Sequence, residues 1–286
     1  MSYKTILVHV DPSRHLEARV ATAARIANQE GAHLIGAAVT GISRFVANQA
    51  MSELTDPSLG YWRDELRQRA NDTLDAFEVL ARRHGVSSFE KRLVDDDAAG
   101  GLGLHARYCD LAVLEQEDRD APSPALLPGF PEYVAMSSGT PALLVPYAMA
   151  SPPETGAILV AWNASTAAMR AVRGALPLLA RARMTHVAVF NASARREAHG
   201  EQPGADLALY LARHGIAVQV QERECGSAGR AGDAEIAQAL LSLAADLDCE
   251  MLVMGCYGHS RFRETLLGGA TRAILESMTL PVLMAH

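Results

Sequence analysis

Along this chain, short apolar runs alternate with stretches in which apolar residues recur every third or fourth position, a pattern that predicts alternating strands and helices. Ile6 to Val10 is the first apolar run and ends at Asp11, where Asp11-Pro12-Ser13 reads as a helix cap. Leu16, Val20, Ala23, Ala24 and Ala27 then share one helical face, and Gly31 stops the helix. Leu34 to Val39 is the second strand. Gly41 to Tyr61 is polar and irregular and reads as a long loop. Leu66, Ala70, Leu74, Phe77 and Ala81 mark a helix ended by His84-Gly85. Phe89 to Val94 is a strand, Ala98 to Tyr108 a helix weakened by Gly100, Gly101 and Gly103, and Leu111 to Leu114 a strand. A Pro-rich acidic loop comes next, then a short helix near Glu132 to Met136 and a fifth strand, Pro141 to Val145.

After Ser151-Pro152-Pro153 the order begins again. Ile158 to Trp162 is a strand ending at Asn163. Ser165 caps a helix carrying Met169, Val172, Leu176 and Leu179, which Pro177 should kink. Val187 to Phe190 is a strand, Leu207 to Arg213 a helix ended by His214-Gly215, and Ala217 to Val220 a strand. Ile236, Leu240, Leu243 and Ala244 line a helix. Met251 to Met254 and Pro281 to Met284 complete the set.

The repetition extends to single residues. Cys109 to Pro146 lies over Cys249 to His286 without a gap at a shift of 140, and Ile6-Leu7-Val8 lies over Ile158-Leu159-Val160 at a shift of 152. The difference of 12 falls in the middle, where the first half has its longer loop. Two homologous domains are therefore expected, 1–150 and 151–286. Strands alternating with helices imply a doubly wound α/β fold with parallel strands and right-handed crossovers. Ligands in such folds sit beyond the strand C-termini. Asn163 and Gly255 then face one crevice, with Asp11 and Glu115 as their counterparts.

The stretch from Glu250 to Thr271 carries the candidate chemistry. A strand ends at Gly255, Gly258 comes three residues later, and Gly268-Gly269 precede a helix beginning with Ala270 and Thr271. Residues without Cβ allow close backbone approach, and free N–H groups at a helix start cradle anions. The string reads as a phosphate-binding loop, distinct from the P-loop and from the G-x-G-x-x-G fingerprint. The bland alternative is a tight turn before a Gly-rich helix.

Composition narrows the partners. With 26 Lys and Arg against 33 Asp and Glu, the net charge is −7, which argues against nucleic acid or an anionic membrane as main partner. Arg261, Arg263 and Arg272 form a local basic cluster at the glycine stretch. Four cysteines without C-x-x-C spacing indicate no zinc site or disulfide framework and point to a reducing cytosol. The chain opens straight into a strand, and no apolar run reaches transmembrane length. The ten histidines show no paired ligand spacing, so no metal is expected.

Gly255-x-x-Gly258 with Gly268 nine residues on, set in tandem strand–helix halves, resembles the universal stress protein family in its two-domain form. The resemblance covers essentially the whole chain. It implies five-stranded parallel sheets of order 3-2-1-4-5 flanked by helices, and a cytoplasmic stress-response protein binding ATP or another adenine nucleotide, with Mg2+, in its second domain. Family members often pair as dimers, which implies an intramolecular pseudo-dimer, a homodimer and a client protein. The family has no common reaction, so at most weak ATP hydrolysis is implied. Gly255, Gly258 and Gly268 match the family's loop glycines. The family then has Ser or Thr where this chain has Gly269, with Thr271 two positions later. Asn163 stands where the family has Asp near the ribose, and Val189 lies in the region whose backbone reads adenine. In the first half Glu115, Asp118 and Pro128 replace the three glycines. Two carboxylates repel a triphosphate and Pro lacks an N–H, so this half is expected to bind no nucleotide.

The rival readings are a nucleotide-free interaction or scaffold module of the same fold, and an adenylating enzyme, which lacks its motifs here. His259 reads as an exposed loop residue, Cys256 as a small apolar loop residue rather than a reactive thiol, and Asp95-Asp96-Asp97 as a solvated turn and helix start. Cys109 and Cys249 read as core packing, and Trp62 and Trp162 as surface residues of their domains.

Overall fold

Chain segments 2–43, 57–118, 129–149, 156–195, 197, 201–226, 230–256 and 269–286 are described by the computed structural model. The chain divides into two units, Ser2–Pro152 and Pro153–His286. Gly258 and Gly268 of the glycine stretch, together with Pro128, His259, Arg261 and Arg263, lie outside the described residues.

In the first unit the strands are β1 (Thr5–His9), β2 (His33–Val39), β3 (Phe89–Val94), β4 (Leu111–Glu115) and β5 (Ala142–Val145), with helices α1 (Leu16–Glu30), α2 (Pro57–Arg83), α3 (Ala98–Ala106) and α4 (Phe130–Ser137). All strand pairs are parallel, in the order β3-β2-β1-β4-β5. β1 and β4 are apolar along almost their whole length because helices shield both faces of such a sheet; Ile6, Leu7, Val8 and Leu111 to Val113 are fully buried. Gly36 of β2 exists because Phe77 of α2 lies across it. A Cβ there would stand 2.7 Å from Phe77 Cγ and closer still to its ring edge, and the ring in turn meets Phe89 edge-on at 5.9 Å.

The second unit contains β6 (Ala157–Ala161), β7 (Met184–Phe190), β8 (Val218–Arg223), β9 (Cys249–Gly255) and β10 (Val282–Ala285), with α5 (Thr166–Leu179), α6 (Ala205–Arg213), α7 (Arg230–Asp246) and α8 (Gly269–Ser277). Its order is β8-β7-β6-β9-β10, again all parallel. Both units therefore have the expected 3-2-1-4-5 order. The repeat survives at the level of register. Val8 stands beside Val113 in the first unit and Val160 beside Val253 in the second. Likewise Glu115 pairs with Val145 and Gly255 with Ala285.

The end of each sheet opposite the strand C-termini is fastened alike. Asp110 accepts hydrogen bonds from the N–H groups of Lys4 and Thr5, at 2.7 and 3.0 Å. Glu250, its counterpart, accepts one from Gly156 N–H at 2.9 Å. The longer Glu250 side chain occupies the space a Cβ at residue 156 would need, with Cδ 2.6 Å away.

Two local expectations change. The second helix begins at Pro57 rather than after Tyr61, because Pro, read as a loop residue, is favoured in the first helical turn where no N–H is needed. The Asp11-Pro12-Ser13 cap is not formed. α1 begins at Leu16 after His15 without a side-chain cap, and the Asp11 carboxylate is engaged elsewhere. Pro177 lies inside α5, which runs on to Leu179. Ser165 caps α5 as expected, accepting from Ala168 N–H at 3.1 Å, and Asp97 caps α3 through Gly100 N–H at 2.8 Å.

Candidate functional site

The second unit presents its site residues at the strand C-termini. β6 runs out through Trp162 to exposed Asn163, whose side-chain oxygen accepts from Ser165 N–H at 3.2 Å. This tight turn holds Ala164 at φ 58, a conformation that L-residues other than Asn, Asp and His seldom take. β9 ends at Gly255 directly against the first turn of α5. A Cβ at Gly255 would lie 2.7 Å from the Ala167 carbonyl carbon and closer still to Ala168 nitrogen. Only glycine lets strand and helix start approach this closely.

The other candidates have different surroundings. Val189 is fully buried on β7, so it can offer only its backbone to a ligand. Gly269 opens α8, and a Cβ there would meet Cβ of Asp233 on α7 at 2.9 Å. Packing alone thus requires glycine at 269. Ala270 stands next to it in the first turn, and Thr271 lies on the buried face of α8 with Ile274 and Leu275. Asn191, at φ 55, ties the end of β7 to the chain beyond β8 through two bonds with the Cys225 backbone, at 2.7 and 2.8 Å. Cys256 is fully buried and burial pushes its thiol up to about 12. It is therefore unreactive, in keeping with its reading as a small apolar residue. Cys109 and Cys249 are half-buried, and burial raises both thiols to about 11.

The first unit fills the same region with charge. Arg19 on α1 is fully buried and donates to both Asp11 and Glu115 through its two terminal nitrogens, and to the His9 carbonyl at 2.7 Å through Nε. Burial works against the Arg19 charge, but Glu115 and Asp11 outweigh it and hold the guanidinium charged. Burial also works to raise the Asp11 carboxyl, and the Arg19 charge overrides it, holding Asp11 below the usual carboxylate range. For Glu115 burial wins and raises the carboxyl to about 7. His9, fully buried and edge-on to Phe130 at 5.3 Å, is pushed down to about 3 by burial and stays neutral.

Two acids just beyond β4, Glu117 and Asp118, are also used internally. Asp118 receives Arg14 and His15, each at 3.0 Å. Glu117 accepts from Gly129 N–H, at the N-terminus of α4, at 3.4 Å. The carboxylates expected to repel a phosphate are thus themselves the anions that meet the local cations and helix start. Glu115 and Asp118 occupy the positions of Gly255 and Gly258, and Arg19 occupies that of Ala171. Sequence reasoning missed Arg19. The available signal was its place on the apolar stripe Leu16–Val20–Ala23, where a charge needs a buried partner.

The repeated doubly wound sheets, with a strand-end glycine set on a helix start, define a two-domain α/β protein with parallel strands. Residues 155–286 match the model of the universal stress protein family. No curated protein matches the sequence. Among solved structures, a universal stress protein from Archaeoglobus fulgidus DSM 4304 is similar over 98% of this chain and 97% of its own, at 16% identity and a TM-score of 0.69. A functionally unknown protein from Pseudomonas aeruginosa PAO1 is similar over 99% of this chain and 92% of its own, at 19% identity and a TM-score of 0.60. The chain carries a universal stress protein domain in its second half and, over its whole length, the two-domain fold of that family.

Proposed function

We propose that the second domain, 151–286, binds ATP or another adenine nucleotide, with Mg2+, and acts as a sensor or switch in a cytoplasmic stress response. In this reading Asn163 meets the ribose and the Val189 backbone meets adenine. The phosphates lie on the backbone N–H groups of the loop from Gly255 through Gly258 and Gly268 to the helix start at Gly269, Ala270 and Thr271. The observation that carries the reading is the glycine at the end of β9, whose missing Cβ seats the strand end on the first turn of α5. That leaves backbone N–H groups and a positive helix end at the place where the first domain has the Glu115 carboxylate. The first domain, 1–150, has Glu115 and Arg19 at the matching place and is read as degenerate, binding no nucleotide there. No described helix is long and apolar enough to cross a membrane.

A ligand-free interaction module is the second reading. It is favoured by the packing of Gly269 under Asp233 and by the burial of Thr271, both of which explain those residues without a ligand. Calorimetric titration of the full chain with ATP and Mg2+, beside a Gly258→Glu, Gly268→Glu variant, separates the two. Binding near one per chain, lost in the variant, is expected. No binding at millimolar ATP overturns the nucleotide reading.

A further inference from the structure

We propose that the first domain holds a divalent transition-metal ion between His9, Asp11 and Glu115, a site with no counterpart in the second. His9 and Asp11 come from the end of β1 and the turn after it, and Glu115 from the end of β4. All three are buried, and one ligand atom from each lies within 4.8 Å of the other two. The sequence hides this grouping because 104 residues separate Asp11 from Glu115.

The hydrogen bonds around the cluster leave the ligand atoms free. Arg19 takes one oxygen of each carboxylate, and Ser13 shares the same oxygen of Asp11. Asp11 Oδ2 has no partner. Glu115 Oε1 faces His9 Nδ1 at 3.9 Å, beyond a hydrogen bond. Both ring nitrogens of His9 lack a partner although the ring is fully buried. Leaving such groups unanswered is costly, and one ion takes one ring nitrogen of His9 together with one oxygen of each carboxylate.

The chemistry of the set agrees. One imidazole nitrogen with two carboxylate oxygens suits Zn2+, Mn2+ or Fe2+. Two carboxylates against one guanidinium leave a negative charge for the ion to meet. Arg19 then has the role of outer partner, holding the far oxygens of ligating carboxylates. With bonds of about 2.0–2.2 Å, the donors must draw together by roughly 1 Å, a movement within reach of the Glu115 side-chain torsions. The second domain has Ala161, Asn163 and Gly255 at these positions and supplies no such set.

The test uses the full chain, stripped with a chelator and titrated with Zn2+ by calorimetry and with Co2+ by absorption. One site per chain is expected, with Co2+ bands that show no sulfur-to-cobalt charge transfer. His9→Gln and Asp11→Asn should each weaken Zn2+ binding by about 100-fold or more, beyond what loss of an outer partner costs, while Asn163→Ala leaves it unchanged. Amide exchange at β1 and β4 establishes that the variants are folded. If His9→Gln fails to fold, the near-isosteric Asp11→Asn decides. The proposal is overturned by the absence of a one-per-chain site, by binding undiminished in the folded variants, or by a thiolate band. Absence of the site would leave a buried water as the occupant.

Discussion

Replacing Arg19 by alanine tests the account of the first domain most directly. The substitution leaves Asp11 and Glu115 buried side by side with no cation, and breaking a buried ion pair in this way costs about 3–5 kcal/mol. The second domain shows how the same backbone manages without the pair, since it has Ala171 and Gly255 at the two positions. Arg19→Ala combined with Glu115→Gly therefore removes one charge and its counter-charge together and leaves Asp11, held by Ser13, as the one buried carboxylate of the cluster. The double variant should be more stable than Arg19→Ala alone, and the cycle should return a coupling of about 2 kcal/mol or more, toward the upper end of what contacting residues show. Unfolding of a two-domain chain is not a single transition, so the assay should be amide exchange read by mass spectrometry at β1 and β4, in chelator-containing buffer. Since 1.4 kcal/mol is about tenfold, exchange in Arg19→Ala should quicken by about 100- to 4,000-fold where it reports opening of the domain. Exchange within about threefold of wild type, or a double variant no slower than the single, would refute the claim that Arg19 is the counter-charge that holds this cluster.

Three further outcomes concern the second domain. Gly255→Ala drives a Cβ into the first turn of α5 and should destabilise the domain by about 1–3 kcal/mol, read as faster exchange at β9, and it should weaken ATP binding in the same titration as the loop variant. His186 on β7 is buried with Nδ1 unpartnered, and burial first and Arg183 second hold it below the usual imidazole range. Its folded form resists the proton that the unfolded chain accepts, so stability is full above about pH 6.5 and falls as the pH drops below it; His186→Gln should flatten that limb in chemical denaturation. Cys256 should escape iodoacetamide at pH 8 in the native protein while half-buried Cys225 is labelled, as mapped by peptide mass spectrometry; native labelling of Cys256 would contradict its burial.

The strands were legible because each is a dense apolar run, and their order was legible because the halves repeat at fixed shifts. Helix boundaries were less so. Pro57 carries two meanings, loop breaker and first-turn residue, and only the packing of the residues downstream of it decides between them. The start of α1 was misread because Asp11 has two possible uses, a cap or a partner for Arg19, and the second depends on Glu115 arriving beside it through β1–β4 pairing. The places of Asn163 and Gly255 at the ends of β6 and β9 could be named from the apolar runs alone. The charge cluster could not, since nothing local marks Glu115 as buried. Gly269 gave a further ambiguity: one glycine serves equally as an anion cradle or as clearance for Asp233, and sequence carries no sign of which neighbour is present.

The carboxylates that fasten the first strand of each sheet, Asp110 and Glu250, suggest how the two halves came to differ. Both sit at the end remote from the strand C-termini, so each half keeps its architecture by means that make no demand on the opposite end. After an ancestral duplication, one copy could carry Glu115 and Arg19 where the other carries Gly255 and Ala171 without losing its fold. The molecule in this view carries its own ancestor's record: the lower ends preserve what both copies inherited, and the upper ends show what each did with the freedom.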